Sequence, residues 1–414
     1  MDSVDTTRQP GPAPWTCPFC PLLCDSFGVA LGPPGTPLAL TGSECPRARS
    51  ALAAFAGAAA TERPHVDGRD CDLDTALAAA AALLAASRQP LFGGLGTDVA
   101  GARALYALAC ETGAICDPAR GPALMHGLRA LQDRGGFSTT LAEVRTRADL
   151  IVCITGDPTP RYPEFFRRCG AGEPASAPTE MLPLQGDLFD TVALLAALVA
   201  GRLSADDERV PAELAALSAR LRAARYAVLV YEPGRLPAQG ALIVEAVQRI
   251  VGTLNRSTRA ASLSLGGDDG AATVNQVFAW LSGLPLRSRC GPAGLEHEPL
   301  CFDAARLLAD DAVDLLLWVS SFGPEPAPPP APLPCVVLGH PRMRPTQDAG
   351  APARERVFIP VSTPGIGSGG HLFRTDGSVL LPLRPLYDDG LPSAADVLRR
   401  LTQAVQALRR EGAQ

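Results

Sequence analysis

Short apolar runs alternate along the chain with longer segments whose apolar residues recur every three or four positions. The runs end at glycine, proline or polar residues, which is typical of strands buried on both faces. They occupy residues 90–95, 149–155, 226–231, 314–320 and 334–339. Helical spacing predicts helices at residues 73–87, 99–112, 190–200, 211–224, 240–252, 271–282 and 394–409. This alternation predicts an α/β fold in which parallel sheets are flanked by helices.

The remaining segments suggest how the chain is divided. Residues 156–187 are rich in Pro, Gly and Arg and are predicted to form a loop or a crossing between lobes, and residues 323–334 form a proline-dense connector. Residues 354–385 combine Gly/Pro punctuation with short apolar pieces, which indicates a short-strand loop element. We therefore divide the chain into a Cys-rich element (1–60), α/β lobes (61–330) and a carboxyl-terminal strand-loop and helix segment (331–414).

Composition narrows the range of chemistry. With 414 residues, 47% of them hydrophobic, the chain can bury more than one core. All 37 basic residues are arginine, and the absence of lysine excludes P-loop, pyridoxal-phosphate and Schiff-base chemistry. A net charge of −6 and 5% aromatic residues give no broad cationic surface or stacking platform, so we expect no nucleic-acid partner.

The sequence also indicates a cytoplasmic protein without a membrane segment. Residues 1–14 carry acids and prolines and no apolar core of a signal peptide. The Ala-rich runs are shorter than the roughly 20 apolar residues that cross a bilayer. In a reducing compartment the twelve cysteines do not form a disulfide framework, and the eight that occur singly are expected to be small buried side chains.

The other four cysteines form the strongest chemical motif. Cys17, Cys20, Cys24 and Cys45 follow the spacing C-x2-C-x3-C-x20-C. Three thiolates in one loop, with a fourth returned by a hairpin, can surround a [4Fe-4S] cluster, which takes one cysteine at each iron. A tetrahedral zinc site more often uses two CxxC pairs, and four reduced thiols without metal are the third interpretation. The spacing favours the cluster and leaves both alternatives open.

Three further regions carry a family resemblance together with these cysteines. They are Leu131-Gln-Asp-Arg-Gly-Gly with residues 140–152, Asn275-Gln-Val-Phe-Ala-Trp280, and Pro360-Val-Ser-Thr-Pro-Gly-Ile with Phe373-Arg-Thr-Asp-Gly377. The pattern resembles the molybdopterin oxidoreductases, and more narrowly the B subunit of formylmethanofuran dehydrogenase, from about Cys17 to Pro385. The resemblance implies a molybdopterin-oxidoreductase-like fold, a [4Fe-4S] cluster on the four cysteines, and molybdopterin guanine dinucleotide with tungsten or molybdenum as the family cofactor.

The sequence departs from this family at the metal ligand. Metal-bearing members bind the metal through a Cys or selenocysteine followed by His-Gly-Pro, in a loop before the Leu-Gln stretch. Here Met125, His126 and Gly127 stand in those positions, and Leu128 replaces the proline. A thioether cannot replace an anionic thiolate as ligand to a high-valent metal. We therefore expect the metal cofactor to be absent, Cys116 to be structural, and His126 to be either a relic of the site or a hydrogen-bonded core histidine.

The segment from Gly94 to Arg103 is similar to bacterial homologues that belong to a formyltransferase/hydrolase complex. This resemblance implies a cytoplasmic, non-redox subunit in one-carbon metabolism from formaldehyde to formate. Its expected partners are the other three components of such a complex: an amidohydrolase-like A component, a C component and a formyltransferase D component.

Two alternatives remain at this stage. An active tungsten or molybdenum formylmethanofuran dehydrogenase would need the missing thiolate. A free-standing formate dehydrogenase-like protein is disfavoured, because such chains are usually longer and carry additional pterin-binding lobes.

Two weaker signals receive structural interpretations. The run Gly93-Gly94-Leu95-Gly96 lacks the G-x-G-x-x-G form of a dinucleotide site and is interpreted as a strand-to-helix turn. Asp376 precedes Gly377, and Asp-Gly is a common turn pair, so it is interpreted as a turn residue. The five histidines show no spacing that indicates a Ser/His/Asp nucleophile.

Overall fold

The structure, a computed structural model, describes residues 14–173, 176–184, 186–343 and 356–412. Most of the segment 1–14, for which no signal peptide is expected, lies outside the described residues, as do the first two residues of the predicted 354–385 element.

The described residues form two main sheets, two small hairpins and the helices that cover them. The helices are α1 (Pro46–Leu52), α2 (Leu73–Ala86), α3 (Val99–Thr112), α4 (Gly121–Arg134), α5 (Leu141–Arg147), α6 (Phe165–Arg168), α7 (Leu188–Val199), α8 (Ala212–Ala223), α9 (Gly240–Leu254), α10 (Ala271–Ser282), α11 (Ala304–Ala309) and α12 (Ala394–Gly412). The strands are β1 (Gly28–Ala30), β2 (Ala39–Thr41), β3 (His65–Val66), β4 (Arg69–Asp70), β5 (Pro90–Gly96), β6 (Ile115–Cys116), β7 (Leu150–Cys153), β8 (Thr179–Met181), β9 (Tyr226–Tyr231), β10 (Arg259–Ser264), β11 (Ser288–Gly291), β12 (Gly294–His297), β13 (Leu315–Ser320), β14 (Cys335–Gly339), β15 (Arg356–Pro360), β16 (Gly370–Phe373) and β17 (Leu380–Leu383).

The smaller main sheet is parallel throughout, in the order β10-β9-β7-β8. Its strands are apolar on both faces because both faces are covered. Helices α7, α8 and α9 pack on one face through Leu195, Leu217 and Val247. The Cys-rich element packs on the other face, together with α1, α5 and α6. The four cysteines therefore belong to the core of this sheet.

The larger sheet has nine strands in the order β12-β11-β6-β5-β13-β14-β15-β3-β4. Its centre from β6 to β15 is parallel, and both edges are antiparallel. Helices α2, α3, α10 and α12 cover one face, where small residues such as Ala80 and Ala102 let the helices approach closely. Residues around α11 and the proline-dense connector cover the other face. The expected fold class, parallel sheet regions flanked by helices, is confirmed.

Every predicted helix and strand is present, with ends that differ by a few residues. The prediction for residues 156–187 was incomplete, because this stretch contains α6 and the edge strand β8. The elements that the prediction missed include α4 and β10, and β15 within the carboxyl-terminal segment lies inside the larger sheet rather than in a loop element. The nine-stranded sheet includes strands from both sides of residue 330. The division of the chain into three segments stays a prediction.

The glycine run at residues 93–96 is not a strand-to-helix turn. It lies inside β5, where the register with β13 shifts between Trp318 and Ser320. A Cβ on Gly93 would lie 2.8 Å from the Trp318 ring, so glycine is required there by packing. Of the isolated cysteines expected to be buried, Cys116 is buried and Cys301 is exposed. Within the described ranges, no helix is both long enough and apolar enough to cross a bilayer.

Candidate functional site

The four cysteines meet at one place because a tight loop and a hairpin bring them there. The Cys17 amide donates to the Cys24 carbonyl at 2.9 Å, and the Leu23 amide donates to the Cys20 carbonyl at 3.1 Å, with Leu23 in the left-handed region at φ 44°. The antiparallel β1–β2 hairpin then returns the chain to Cys45, which caps α1 ahead of Pro46. All four cysteines are buried and line one cavity with Phe19, Phe27 and Arg47.

Burial makes these thiols difficult to ionise without a cation. It raises the pKa of Cys17 well above its ordinary value, that of Cys20 to about 11 and that of Cys24 to about 12. Neighbouring thiols add to the effect at Cys17, whereas the Arg47 guanidinium lowers the pKa of Cys20. A metal centre that neutralises the thiolates would offset this cost.

The donor set fits an iron-sulfur cluster better than it fits any hard cation, since four thiolates are soft ligands. No group of three or more His, Cys, Asp or Glu side chains in the described part of the chain is arranged to hold a metal ion. The fit therefore rests on the four buried thiols that line one cavity, and not on side chains already arranged around a single ion.

Arg47 connects this cavity to the rest of the molecule. Its Nε donates to the Phe19 carbonyl at 2.6 Å, inside the cysteine loop, and its Nη1 donates to the Arg161 carbonyl at 3.1 Å. Its Nη2 donates to Asp268 Oδ1 at 2.9 Å. A single guanidinium thus joins the cysteine loop to α1, to the loop after β7 and to the loop after β10.

Asp268 is the centre of a buried ionic cluster. Its other oxygen accepts from Arg161 Nη2 at 2.9 Å and from the Tyr162 hydroxyl at 3.2 Å, and its side chain is only 3% exposed. Arg161 also lies 3.6 Å from the buried Glu232. The sequence analysis missed these residues, although the acidic pair inside the glycine run 266–270, between a strand and a helix, was the available signal.

Arg161, Tyr162 and Asp268 line a cleft of about 340 Å³ between the carboxyl ends of the two main sheets. Ligands of open α/β sheets bind at such ends. The polar groups at the cleft include Arg120, Arg161, Gln248, Asp268 and Asp269. Asp269 is strained at φ 57°, and burial together with the Asp268 charge raises its pKa to about 6, against the lowering effect of three nearby guanidinium groups.

Helix α4 lines one side of the cleft with apolar atoms. Ala123, Leu124, Gly127, Leu128 and Leu131 contribute to the lining. The resemblance placed a loop here, but the helix begins at Gly121-Pro122, because proline is favoured at the first turn, and it continues through residue 134.

Met125 and His126, at the family's metal position, lie inside α4 and do not line the cleft. Met125 is 3% exposed and buried in the protein interior. The His126 ring packs at α9, where a Cβ on Gly240 would come within 2.7 Å of it, and burial lowers its pKa. Cys116 is buried in the core beside α3, where burial raises the pKa of its thiol far above the ordinary value. Neither cysteine nor histidine lines the cleft in the described part of the chain, so its residues do not fit a tungsten or molybdenum centre.

A buried ion pair fixes the start of α4. Arg287 Nε donates to Asp117 Oδ1 at 2.9 Å, and the same guanidinium contacts Asp303. The Asp117 and Arg287 side chains are 2% and 4% exposed. Any Cβ at Gly121 would lie 2.3 Å from the Asp117 carboxylate, so only glycine fits where the helix begins.

Comparison with known proteins places the chain among the B subunits of the formyltransferase/hydrolase complex and of formylmethanofuran dehydrogenase. It is 34% identical to the B subunit of the formyltransferase/hydrolase complex of Methylorubrum extorquens, over 76% of this chain and 89% of that protein. It is 25% identical to the B subunit of a tungsten-containing formylmethanofuran dehydrogenase of Methanocaldococcus jannaschii, over 95% of this chain and 98% of that one. No protein-family model matches the chain.

A solved structure agrees with these relatives. A chain in the crystal structure of the formyltransferase/hydrolase complex of Methylorubrum extorquens, determined with methylofuran, matches with a TM-score of 0.71 and 31% identity. The match covers 85% of this chain and all of that one. The likeness therefore extends over most of the chain and is not confined to a motif.

The Asp117–Arg287 pair generates a stability prediction. Replacing Arg287→Ala leaves buried carboxylates without their cation, and we expect the free energy of unfolding in urea to fall by about 3–5 kcal/mol. The matched control is Arg306→Ala, whose partner Asp310 is exposed, and we expect a change of about 1 kcal/mol or less. Equal effects of the two substitutions would contradict the assignment of a buried clamp at the start of α4.

Proposed function

The chain belongs to the family of the formylmethanofuran dehydrogenase B subunit, in the branch of the formyltransferase/hydrolase complex, and we propose that it serves there without a redox reaction of its own. The observation that carries this proposal is the position of Met125 in α4. Met125 stands where the family has its metal ligand, but it is buried in the interior, and the side chains of α4 that line the cleft are apolar. A dehydrogenase of this family needs an anionic ligand at that position.

The proposed partners follow from the relatives. The Methylorubrum extorquens protein is named as one component of a formyltransferase/hydrolase complex, and the matching structure is that of the whole complex. We propose that this chain assembles in the cytoplasm with an amidohydrolase-like A component, a C component and a formyltransferase D component. The partners would move a formyl group between carriers and release formate, in one-carbon metabolism.

We propose that Cys17, Cys20, Cys24 and Cys45 hold a [4Fe-4S] cluster. Bound clusters generally exchange electrons. In this chain the thiols lie in the core that joins the Cys-rich element to the four-stranded sheet, and the cleft offers no thiolate, among the residues described, for a metal that would exchange those electrons. The role proposed for the four cysteines is therefore to fix the fold of the amino-terminal element.

The alternative of an active tungsten or molybdenum dehydrogenase has less support. It would require molybdopterin guanine dinucleotide in the cleft and a thiolate close to its metal. Cys116, the cysteine nearest in sequence to α4, is the last residue of β6 and is buried in the core that β6 shares with α3. Reaching the cleft would require the core of the nine-stranded sheet to open.

The assembly predicts a specific set of copurifying chains. Tagged protein isolated from its native host should retain amidohydrolase-like and formyltransferase-like chains in defined stoichiometry, identified by mass spectrometry. The complex should transfer formyl groups and release formate, and the isolated chain should do neither. Recovery of the chain alone at native expression, or dehydrogenase activity of the isolated chain, would contradict the proposal.

The cysteine site predicts iron and not zinc. Protein purified without oxygen should contain about four irons per chain and absorb broadly near ~400 nm. Cys20→Ser should lower the iron content by at least about half, because one iron loses its ligand. The matched control is Cys169→Ser, a buried cysteine of the same hydrophobic cluster that does not line the cavity, and its iron content should be unchanged. Stoichiometric zinc, or equal iron loss in both variants, would disprove the site.

A further inference from the structure

We infer that the four-cysteine cavity and the cleft are energetically coupled sites, and that Arg47 transmits the coupling. Metal bound by the cysteines would change how strongly the cleft binds a ligand that combines a negatively charged group with an apolar ring. The inference rests on the proposed iron site, but it concerns a different property, since a purely structural cluster would leave the cleft unaffected.

The first step is the position of Arg47. Its guanidinium lines the cysteine cavity and donates to the Phe19 carbonyl inside the cysteine loop, and the same group donates to Asp268. A [4Fe-4S] cluster held by four thiolates would place a net negative charge in the cavity. This charge attracts Arg47 toward the cavity, and its interaction with Asp268 weakens accordingly.

The second step passes through Asp268 to the cleft. Asp268 shares its carboxylate between Arg47 and Arg161. When Arg47 is attracted to the cavity, the Asp268 charge is left to Arg161 alone. Arg161 lines the cleft. Because Asp268 then neutralises more of the Arg161 charge, Arg161 attracts an anion in the cleft less strongly.

The loop after β10 has little room to absorb this change elsewhere. A Cβ on Gly270 would lie 2.4 Å from the Thr97 carbonyl, and a Cβ on Gly267 would lie 2.2 Å from that of Ala272. Both glycines have positive φ, as does Asp269 between them. A loop packed this closely cannot rearrange when the pairing of Asp268 changes, so the change reaches Arg161.

The third step identifies the ligand class of the cleft. The wall formed by α4 is apolar, and Arg120 and Arg161 lie at the cleft with the strained Asp269. Arg120 forms no ion pair with any described residue, unlike Arg161. An aromatic anion satisfies both features, because its ring contacts the apolar wall and its charge faces Arg120 and Arg161. The fluorescent aromatic sulfonate 8-anilinonaphthalene-1-sulfonate is therefore a suitable probe.

The test measures probe affinity in two metal states of the full chain. The chain is prepared without oxygen, once with iron and sulfide restored and once after chelation, and the probe is titrated into both. We expect the iron-loaded form to bind about five-fold more weakly, the lower end of ordinary coupling between sites. Gly127→Leu, which directs a side chain into open space at the cleft, should abolish probe binding in both states and thereby locate the probe.

Variants in α1 separate Arg47 from a general effect. Arg47→Ala should reduce the five-fold difference to less than about two-fold, measured on protein matched in iron content to the unsubstituted chain. The control is Arg49→Ala, two residues away and paired with the exposed Glu44, and it should keep the full difference. If Arg47→Ala does not fold, Arg47→Lys replaces it, because lysine keeps the charge but lacks the planar fork that serves three acceptors.

The outcomes distinguish this inference from the proposed iron site. Failure of the cysteines to bind iron overturns both. Iron binding with equal probe affinity in the two states overturns the coupling alone and leaves the structural cluster in place. Tighter binding in the iron-loaded form, or loss of the difference in Arg49→Ala, overturns the role of Arg47.

Discussion

The Asp268 carboxylate holds together three parts of the molecule that are far apart in sequence. It accepts hydrogen bonds from Arg47 in the Cys-rich element and from Arg161 and Tyr162 after β7, and it lies in the loop after β10. A buried carboxylate is costly unless it is paired and hydrogen-bonded, and two guanidinium groups and a hydroxyl meet that need. The position of the cysteine loop over the four-stranded sheet, and the shape of the cleft beside it, both depend on this cluster.

The location of the cleft and the residues that line it have different origins. Its location at the carboxyl ends of two parallel sheets is a consequence of topology. What the cleft can bind depends on the residues of α4, where the metal position of the family now belongs to a helix fixed by Asp117 and Arg287. An apolar helix face stands where the family resemblance placed a ligand-bearing loop, and it lines the cleft beside Arg120 and Arg161.

Sequence reasoning predicted the strands with continuous apolar runs, because burial on both faces gives them an unambiguous pattern. It missed β10, whose Arg259-Ala-Ala-Ser-Leu-Ser sequence is too polar and too Ala-rich to stand out, and α4, because family resemblance placed a loop there. The spacing of the cysteine motif predicted that these four thiols come together, and in the structure they line one cavity. The Arg47–Asp268–Arg161 cluster could not be predicted, since its members are separated by more than a hundred residues and only the folded chain brings them together.

The proposal that the cleft holds no tungsten or molybdenum centre is tested most directly by the metal content of the chain. The tungsten and molybdenum of the chain should be determined after isolation without oxygen from its native host grown with both metals. We expect less than about 0.1 atom of either metal per chain, because no thiolate or imidazole lines the cleft among the described residues. About one atom of tungsten or molybdenum per chain, lost when Cys116 is replaced by Ser, would contradict this expectation.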